Sequence, residues 1–507
     1  MKKNIMVSGL FMALLGLSTA SCSYYEGESG PNFYDFVPSV PVISYAEGNR
    51  VDEITDNPFV EVAEQPTSTF SVDADGASYT FLRRSIVSHM NINPAIIRIE
   101  ECLNYFTFDY PSPTDGNMVA INSEMGVCPW NPSHQLIRLG IKGKELTAEE
   151  TPRANFVFLV DVSGSMYGSD RLDLLKQGLI KLLDLLNPND RISLITYSGS
   201  VSKLLESTPV SQKNKIKNAI NKLRADGCTA GGQAMKMAYE EAKANYAPQC
   251  NNRVIMGTDG DFNVGVTSTE ELLEMVESYA REGIYLTCLG FGYGNLNDSM
   301  METISNHGNG TYHYIDSENE MVKVFVHERE RFVSVANDAK CQVTFDGQMV
   351  KAYRLIGYEN RALNTEDFED DETDAGEIGA GQTITALYEI IPTEQLQESI
   401  SHGTRQEVAT FDFRYKKTLA EASIPLVSTI VAENQLSANG QPQYAPSENF
   451  NFAAGVAAFG LVLRNSPYKG DATLSMAHQL VKNSLNFDPH HYRQQLLELI
   501  ETAQRRR

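Results

Sequence analysis

A chain of 507 residues exceeds what a single hydrophobic core organises, so two to four domains are expected. With 42 basic against 65 acidic side chains the formal charge is -23, which argues against nucleic-acid binding and electrostatic adhesion to anionic lipid and mainly serves solubility. The cysteines form no CxxC pair, which removes zinc-ribbon and thioredoxin chemistry.

The chain opens Met1-Lys2-Lys3, continues with the apolar run Ile5 to Leu17, and reaches Ser18-Thr19-Ala20-Ser21-Cys22. A charged start, a short apolar centre and a small-residue end make a secretory signal over residues 1–21, because so short an apolar stretch is poorly suited to a permanent span. Cys22 directly after Thr-Ala-Ser resembles the lipidation site of a bacterial lipoprotein signal, with Thr19 where leucine is usual. The resemblance implies a lipidated Cys22 as first residue of the mature protein, anchored by acyl chains that contribute about 0.8 kcal/mol per buried CH₂. Residues 22–56, rich in Gly, Pro, Ser and acids, read as a flexible tether. Ser23 after the cysteine implies the outer membrane, and Tyr25-Glu26-Gly27-Glu28 looks like the acidic surface-export tags of some Gram-negative groups.

Residues 57–150 form a dense block containing Asp73-Ala74-Asp75-Gly76, Arg83-Arg84 and Glu100-Glu101-Cys102. As a calcium loop, Asp73-Ala74-Asp75-Gly76 would put Ser71 at position one and Leu82 at the bidentate position, so that reading fails. A turn feeding Tyr79, Phe81 and Leu82 into a core is expected instead. Arg83 and Arg84 are expected to make structural ion pairs.

Between residues 151 and 325, Phe156 to Val160, Ile192 to Tyr197, Val254 to Met256 and Ile284 to Phe291 read as short strands buried on both faces. Leu172, Leu175, Leu179, Leu182, Leu183 and Leu186 recur at helical spacing and stop at Asn187-Pro188; Ile216, Ile220 and Leu223 repeat the pattern. Alternating strands and helices imply an α/β fold with a doubly wound, mostly parallel sheet that binds ligands at the carboxyl ends of its strands. At those ends stand Asp161-Val162-Ser163-Gly164-Ser165 and Thr258-Asp259, with Thr229 in the glycine-rich segment Asp226 to Gly232. Hard oxygen donors at alternate positions suit a small divalent cation. Helix capping would account for one or two of these residues, not for five in three segments.

The Asp-x-Ser-x-Ser run, the downstream threonine loop and the strand-end aspartate, in that order, resemble the metal-ion-dependent adhesion site of von Willebrand factor type A domains. By that resemblance Ser163, Ser165 and Thr229 supply hydroxyl ligands, and Asp161 and Asp259 carboxylates that act directly or through water. It further implies Mg²⁺, with Mn²⁺ or Ca²⁺ as substitutes, and a protein partner whose carboxylate takes the open position.

In residues 326–507, Gln342 to Phe345, Thr383 to Ile390, Val408 to Phe413 and Ile424 to Val431 alternate as antiparallel strands, as Leu136 to Ile141 does before the metal segment. Their placement on both sides predicts one β-sandwich-like flanking domain into which the type A domain is inserted. The tail from about Asn449 onwards is expected to be helical. The run Glu366 to Asp374 reads as a solvated acidic loop, the sharper alternatives being a carboxylate docking on the metal or a secondary Ca²⁺ site. Asn57-Pro58-Phe59, Pro129-Trp130-Asn131, Tyr353 to Arg361 and Leu463 to Lys469 resemble the flanking regions of a bacterial lipoprotein family that carries the type A domain centrally.

The resulting expectation is a non-enzymatic, lipid-anchored cell-envelope protein that binds an acidic protein partner through Mg²⁺. A structural lipoprotein with a permanent metal is one alternative. A metal-assisted envelope hydrolase is the other, but it lacks a general base: there is no HExxH or GxxxxGK[ST], the histidines lack zinc-ligand spacing, and Asp261, the nearest candidate, is explained as a turn residue.

Overall fold

The computed structural model describes residues 54–114, 116–227, 232–260, 268–294, 296–432 and 445–506. The expected signal segment, Cys22, most of the expected tether, Thr229 and Asp261 lie outside the described residues.

A six-stranded sheet occupies the middle of the chain. Its order is Tyr312–Ile315, Ile284–Phe291, Cys250–Thr258, Arg153–Asp161, Arg191–Tyr197, Val201–Pro209. All neighbours pair in parallel except the last two strands. Strand periodicity explains why the central strands read as continuous apolar runs. Phe156, Phe158 and Val160 enter the core on one face, Val157 and Leu159 that on the other. Each such side chain contributes roughly 1.5–3 kcal/mol on burial. Leu172–Leu185 covers the first face, and Gly232–Ala244 and Thr269–Arg281 the second. The latter helix starts with a reciprocal capping box between Ser268 and Glu271.

Two antiparallel sheets flank this domain. One runs Val60–Glu61, Val350–Ile356, Thr383–Pro392, Gln135–Gly143, Val119–Val127. The other runs Ala362–Leu363, Thr67–Ser71, Ser334–Phe345, Gln406–Lys416, Ile424–Ala432. They share one core, with Ile137 and Tyr388 from the first sheet meeting Phe70, Val343 and Phe411 from the second. Val60 pairs with Tyr353, Phe70 with Cys341 and Leu136 with Glu389, so strands preceding the parallel sheet are held by strands that follow it. The type A segment is therefore an insertion in a sheet domain.

Three helices, Glu448–Arg464, Leu474–Lys482 and Tyr492–Arg505, complete the fold with Ile99–Asn104 and the Trp130 region. The first is apolar all round because it is enclosed, and it ends at Asn465 in the left-handed conformation, φ 54°. No helix among the described residues is long and apolar enough to cross a membrane. The basic tail serves a neighbouring helix: Arg506 donates to the carbonyls of Ser85, Ile86 and Met90 around the end of Ala77–Val87.

Buried charge is organised in networks. Arg83 pairs with Asp316 and Glu320, and Lys323 and Arg331 with Glu328, so three cations meet three anions. His313 faces this network; burial, then the Lys323 ammonium, hold its imidazole down at about 3, with Glu328 opposing and Arg331 and Arg253 assisting. The unfolded imidazole takes up a proton below its ordinary value of 6.5 while the folded one does not, so acidification from 6.5 towards 3 favours unfolding. Urea midpoints of the chain are expected to fall across that window, and His313→Gln to flatten the fall; equal slopes for both proteins contradict this account.

A second network lies in the first flanking sheet. Glu389 accepts from Trp130 Nε1 at 3.1 Å and from Arg354 Nη2 at 2.9 Å, and its other oxygen lies 2.6 Å from His134 Nδ1. The acidic run Glu366 to Asp374 is more than a solvated loop, because the second flanking sheet ties it down. Lys340 Nζ donates to the carbonyls of Asp367 and Asp370, Lys416 Nζ to that of Asp371, and Arg414 to Phe368 O and Asp371 Oδ1.

Candidate metal centre

Asp161 is the last residue of Arg153–Asp161 and is fully buried. Both its oxygens are fixed. Ser163 N donates to Oδ1 at 2.8 Å, the turn that a short acidic side chain makes with the backbone two residues on. Thr258 Oγ1 donates to Oδ2 at 2.9 Å. That contact follows from sheet register, since Val160 pairs with Gly257 and the next residues, Asp161 and Thr258, leave the sheet side by side.

The hydroxyls continue the chain of oxygens. Ser163 Oγ lies 2.9 Å from Ser165 Oγ, and Ser165 Oγ donates to Asp259 Oδ1 at 3.2 Å. Asp161, Ser163, Ser165 and Asp259 are thus brought together from two adjacent strand ends. The third segment starts at the same place: Asp226 N donates to Val162 O at 2.7 Å, and Gly164 N to Gly227 O at 2.9 Å. Gly227 has φ +86°, a left-handed conformation that a side chain would strain. Two residues beyond it Thr229 leaves the described residues, so its own position is not part of this geometry.

The donor set suits a hard divalent cation: two carboxylates and two hydroxyls, all oxygen. The electrostatics agree. Burial foremost pushes the Asp161 carboxyl up to about 6; the hydrogen bonds from Ser163 and Thr258 pull it back, and the negative charge of Asp259 pushes it further up. A positive charge between the two carboxylates would relieve both costs. Arg171 does not provide it, because its guanidinium is committed to backbone, with Nη1 donating to Ser165 O at 2.6 Å and Nη2 to Tyr293 O at 3.4 Å. Arg171 therefore braces the serine loop. On that loop Gly164 is exposed and Tyr167 is 81% exposed, while Ser165 is half-buried and Ser163 buried.

Thr258 and Arg171 are site residues that the motif alone does not reveal. Thr258 was recoverable from strand alignment, given Asp259 at the matching strand end. Arg171 gave no local signal, because what it contacts is main chain.

Three stretches match known families: residues 46–138 a von Willebrand factor family, residues 155–327 the von Willebrand factor type A domain, and residues 330–505 the C-terminal region of the uncharacterized protein YfbK. The chain is 36% identical over 466 residues to the uncharacterized protein YfbK of Escherichia coli (strain K12), covering 90% of this chain and 81% of that protein. It is 32% identical over 183 residues to inter-alpha-trypsin inhibitor heavy chain H3 of Homo sapiens, where it spans only 20% of the relative's length. Among solved structures, a von Willebrand factor type A protein from Catenulispora acidiphila aligns over 75% of this chain and 89% of its own, at 15% identity and a TM-score of 0.43.

Proposed function

The chain belongs to the YfbK family of von Willebrand factor type A domain proteins, and from that premise we propose that it is a lipid-anchored envelope protein that captures a carboxylate of a protein partner through Mg²⁺. Type A domains commonly bind a divalent metal and mediate protein interactions. Asp161, Ser163, Ser165 and Asp259 would hold the ion, with Thr229 as the fifth residue from the adjoining loop. The observation that carries this reading is the convergence of two buried carboxylates and two hydroxyls on a solvent-facing loop. Mg²⁺ gives up its waters reluctantly and takes only part of its shell from protein, which leaves a vertex for an incoming acid. Anchoring through Cys22 in the outer membrane would put this vertex within reach of another envelope or external protein.

The test is capture of envelope proteins on the immobilised mature chain. Partners are expected to bind in Mg²⁺ and to leave in EDTA. Retention in EDTA refutes the reading. Lipidation is tested separately: metabolic palmitate labelling is expected for the full chain and lost in Cys22→Ala, and label surviving that substitution removes the anchor.

A further inference from the structure

A second convergence of carboxylates lies where the N-terminal block meets the type A domain. Asp73, Glu101 from Ile99–Asn104 and Glu302 from Asp298–His307 each place one oxygen so that the three lie within 4.8 Å of one another. All three residues are buried, as are the adjoining Asp75 and Asp298. Among the described residues, two cations pair with these five acids. Arg98 pairs with Glu101, with Asp298 at 3.0 Å and with Glu302 at 3.3 Å. Arg361 pairs with Asp73 at 3.2 Å and reaches Glu302 only at 3.9 Å. The Arg83 network described above balances its charges one for one, so the surplus of acids here is a local feature and not the habit of the chain.

A separate observation concerns Asp75, which is 2% exposed. Its Oδ1 is fixed by Tyr312 N at 2.8 Å, and its own N donates to Asp73 Oδ1 at 2.9 Å. Its Oδ2 accepts no hydrogen bond. That oxygen faces the edge of the Arg361 guanidinium that Glu302 also faces, 4.0 Å from Nη2 and so beyond hydrogen-bond reach. A buried carboxylate oxygen without a hydrogen-bond donor, beside other buried carboxylates, is satisfied by a metal ion or by a proton shared with them.

We propose that Asp73, Glu101 and Glu302, with Asp75 beside them, bind a buried divalent cation that joins the N-terminal block to the type A domain. An all-carboxylate, irregular and enclosed donor set favours Ca²⁺, which accepts six to eight oxygens in flexible geometry, over Mg²⁺, which demands an octahedron and keeps its waters. The turn at Asp73 to Gly76 fails as a contiguous calcium loop; here its missing ligands arrive from Glu101 and Glu302, far along the chain.

The inference does not depend on the site at Asp161, and the experiment separates the two. Crystals of the unsubstituted mature chain soaked in Mn²⁺ are expected to give an anomalous peak enclosed by Asp73, Glu101 and Glu302. Calcium titration of Asp161→Ala after EDTA dialysis is expected to leave one tight equivalent, which Glu302→Gln in the same background removes. A map with its only peak at Asp161, together with an Asp161→Ala chain that binds no Ca²⁺, overturns the inference and shows that protons shared among the acids carry the charge. A peak at the cluster alone supports it while counting against the Asp161 reading. Should Glu302→Gln fail to fold, the map of the unsubstituted chain still decides.

Discussion

Asp161→Ala is expected to abolish metal binding at the strand-end site, lowering Mg²⁺ affinity by more than about 100-fold, since loss even of the groups that orient metal ligands costs 10–100-fold. The same substitution should free captured partners as completely as EDTA does. The physical reason is that Asp161 is both a carboxylate donor and the hub of the site. Its oxygens orient Ser163 through the backbone and Thr258 through the hydroxyl, and Ser163 in turn contacts Ser165. A structural role predicts the opposite pattern. Burial and Asp259 already push the Asp161 carboxyl upwards, so its ionised form is a cost to the metal-free fold. Asp161→Asn should therefore melt at the same temperature as the metal-free parent, or higher, while losing the rise that Mg²⁺ gives the parent. Isothermal titration and melting curves with and without Mg²⁺ check both halves. Unchanged Mg²⁺ affinity would remove this site from any functional account.

Glu389→Ala is expected to destabilise the chain by about 3–5 kcal/mol, the usual cost of removing one partner from a buried ion pair. Arg354 is 1% exposed, and its guanidinium, 4.7 Å above the Tyr468 ring, would keep its charge without an anion. Trp130 Nε1 would lose its acceptor at the same time. Because the cost lies in the orphaned charge, Arg354→Leu with Glu389→Leu should recover much of it. Urea unfolding of the three proteins measures this, and a double variant less stable than Glu389→Ala contradicts the explanation.

How far the sequence anticipates this molecule depends on whether a residue's partners are local in the pattern. Strands buried on both faces are apolar without interruption, so Phe156 to Val160 and Ile284 to Phe291 could be read directly, the latter to the residue. The leucine repeat likewise gives Leu172–Leu185. Strand Val119–Val127 escaped because its sequence, VAINSEMGV, mixes polar residues into both faces of a strand at the sheet edge. Edge strand Val201–Pro209 is half exposed for the same reason. The insertion was legible from strands on both sides of the helical pattern, but which of them pair was not, since pairing is set by a core that forms only when distant segments meet. At the strand ends the two serines and two aspartates carry a spaced motif, and the structure brings them together. Thr258 and Arg171 act through sheet register and backbone carbonyls, which leave no spacing to recognise. The acidic run is exposed at Glu366, Glu369, Asp370 and Glu372, as its charge suggests, while its carbonyls also hold Lys340 and Lys416, which no sequence pattern announces.

The interleaved pairing of the flanking sheets also fixes an order of events. Thr67–Ser71 and Gln135–Gly143 emerge first from a ribosome or translocation channel, yet their partners Ser334–Phe345 and Thr383–Pro392 lie on the far side of the inserted domain. Until those partners arrive, Thr67–Ser71 and the edge of Gln135–Gly143 not covered by Val119–Val127 stay bare, an invitation to wrong pairing with other chains. A chain made from its N-terminus thus presents unpaired flanking strands until the segments beyond the inserted domain arrive, and a holding chaperone is most needed there.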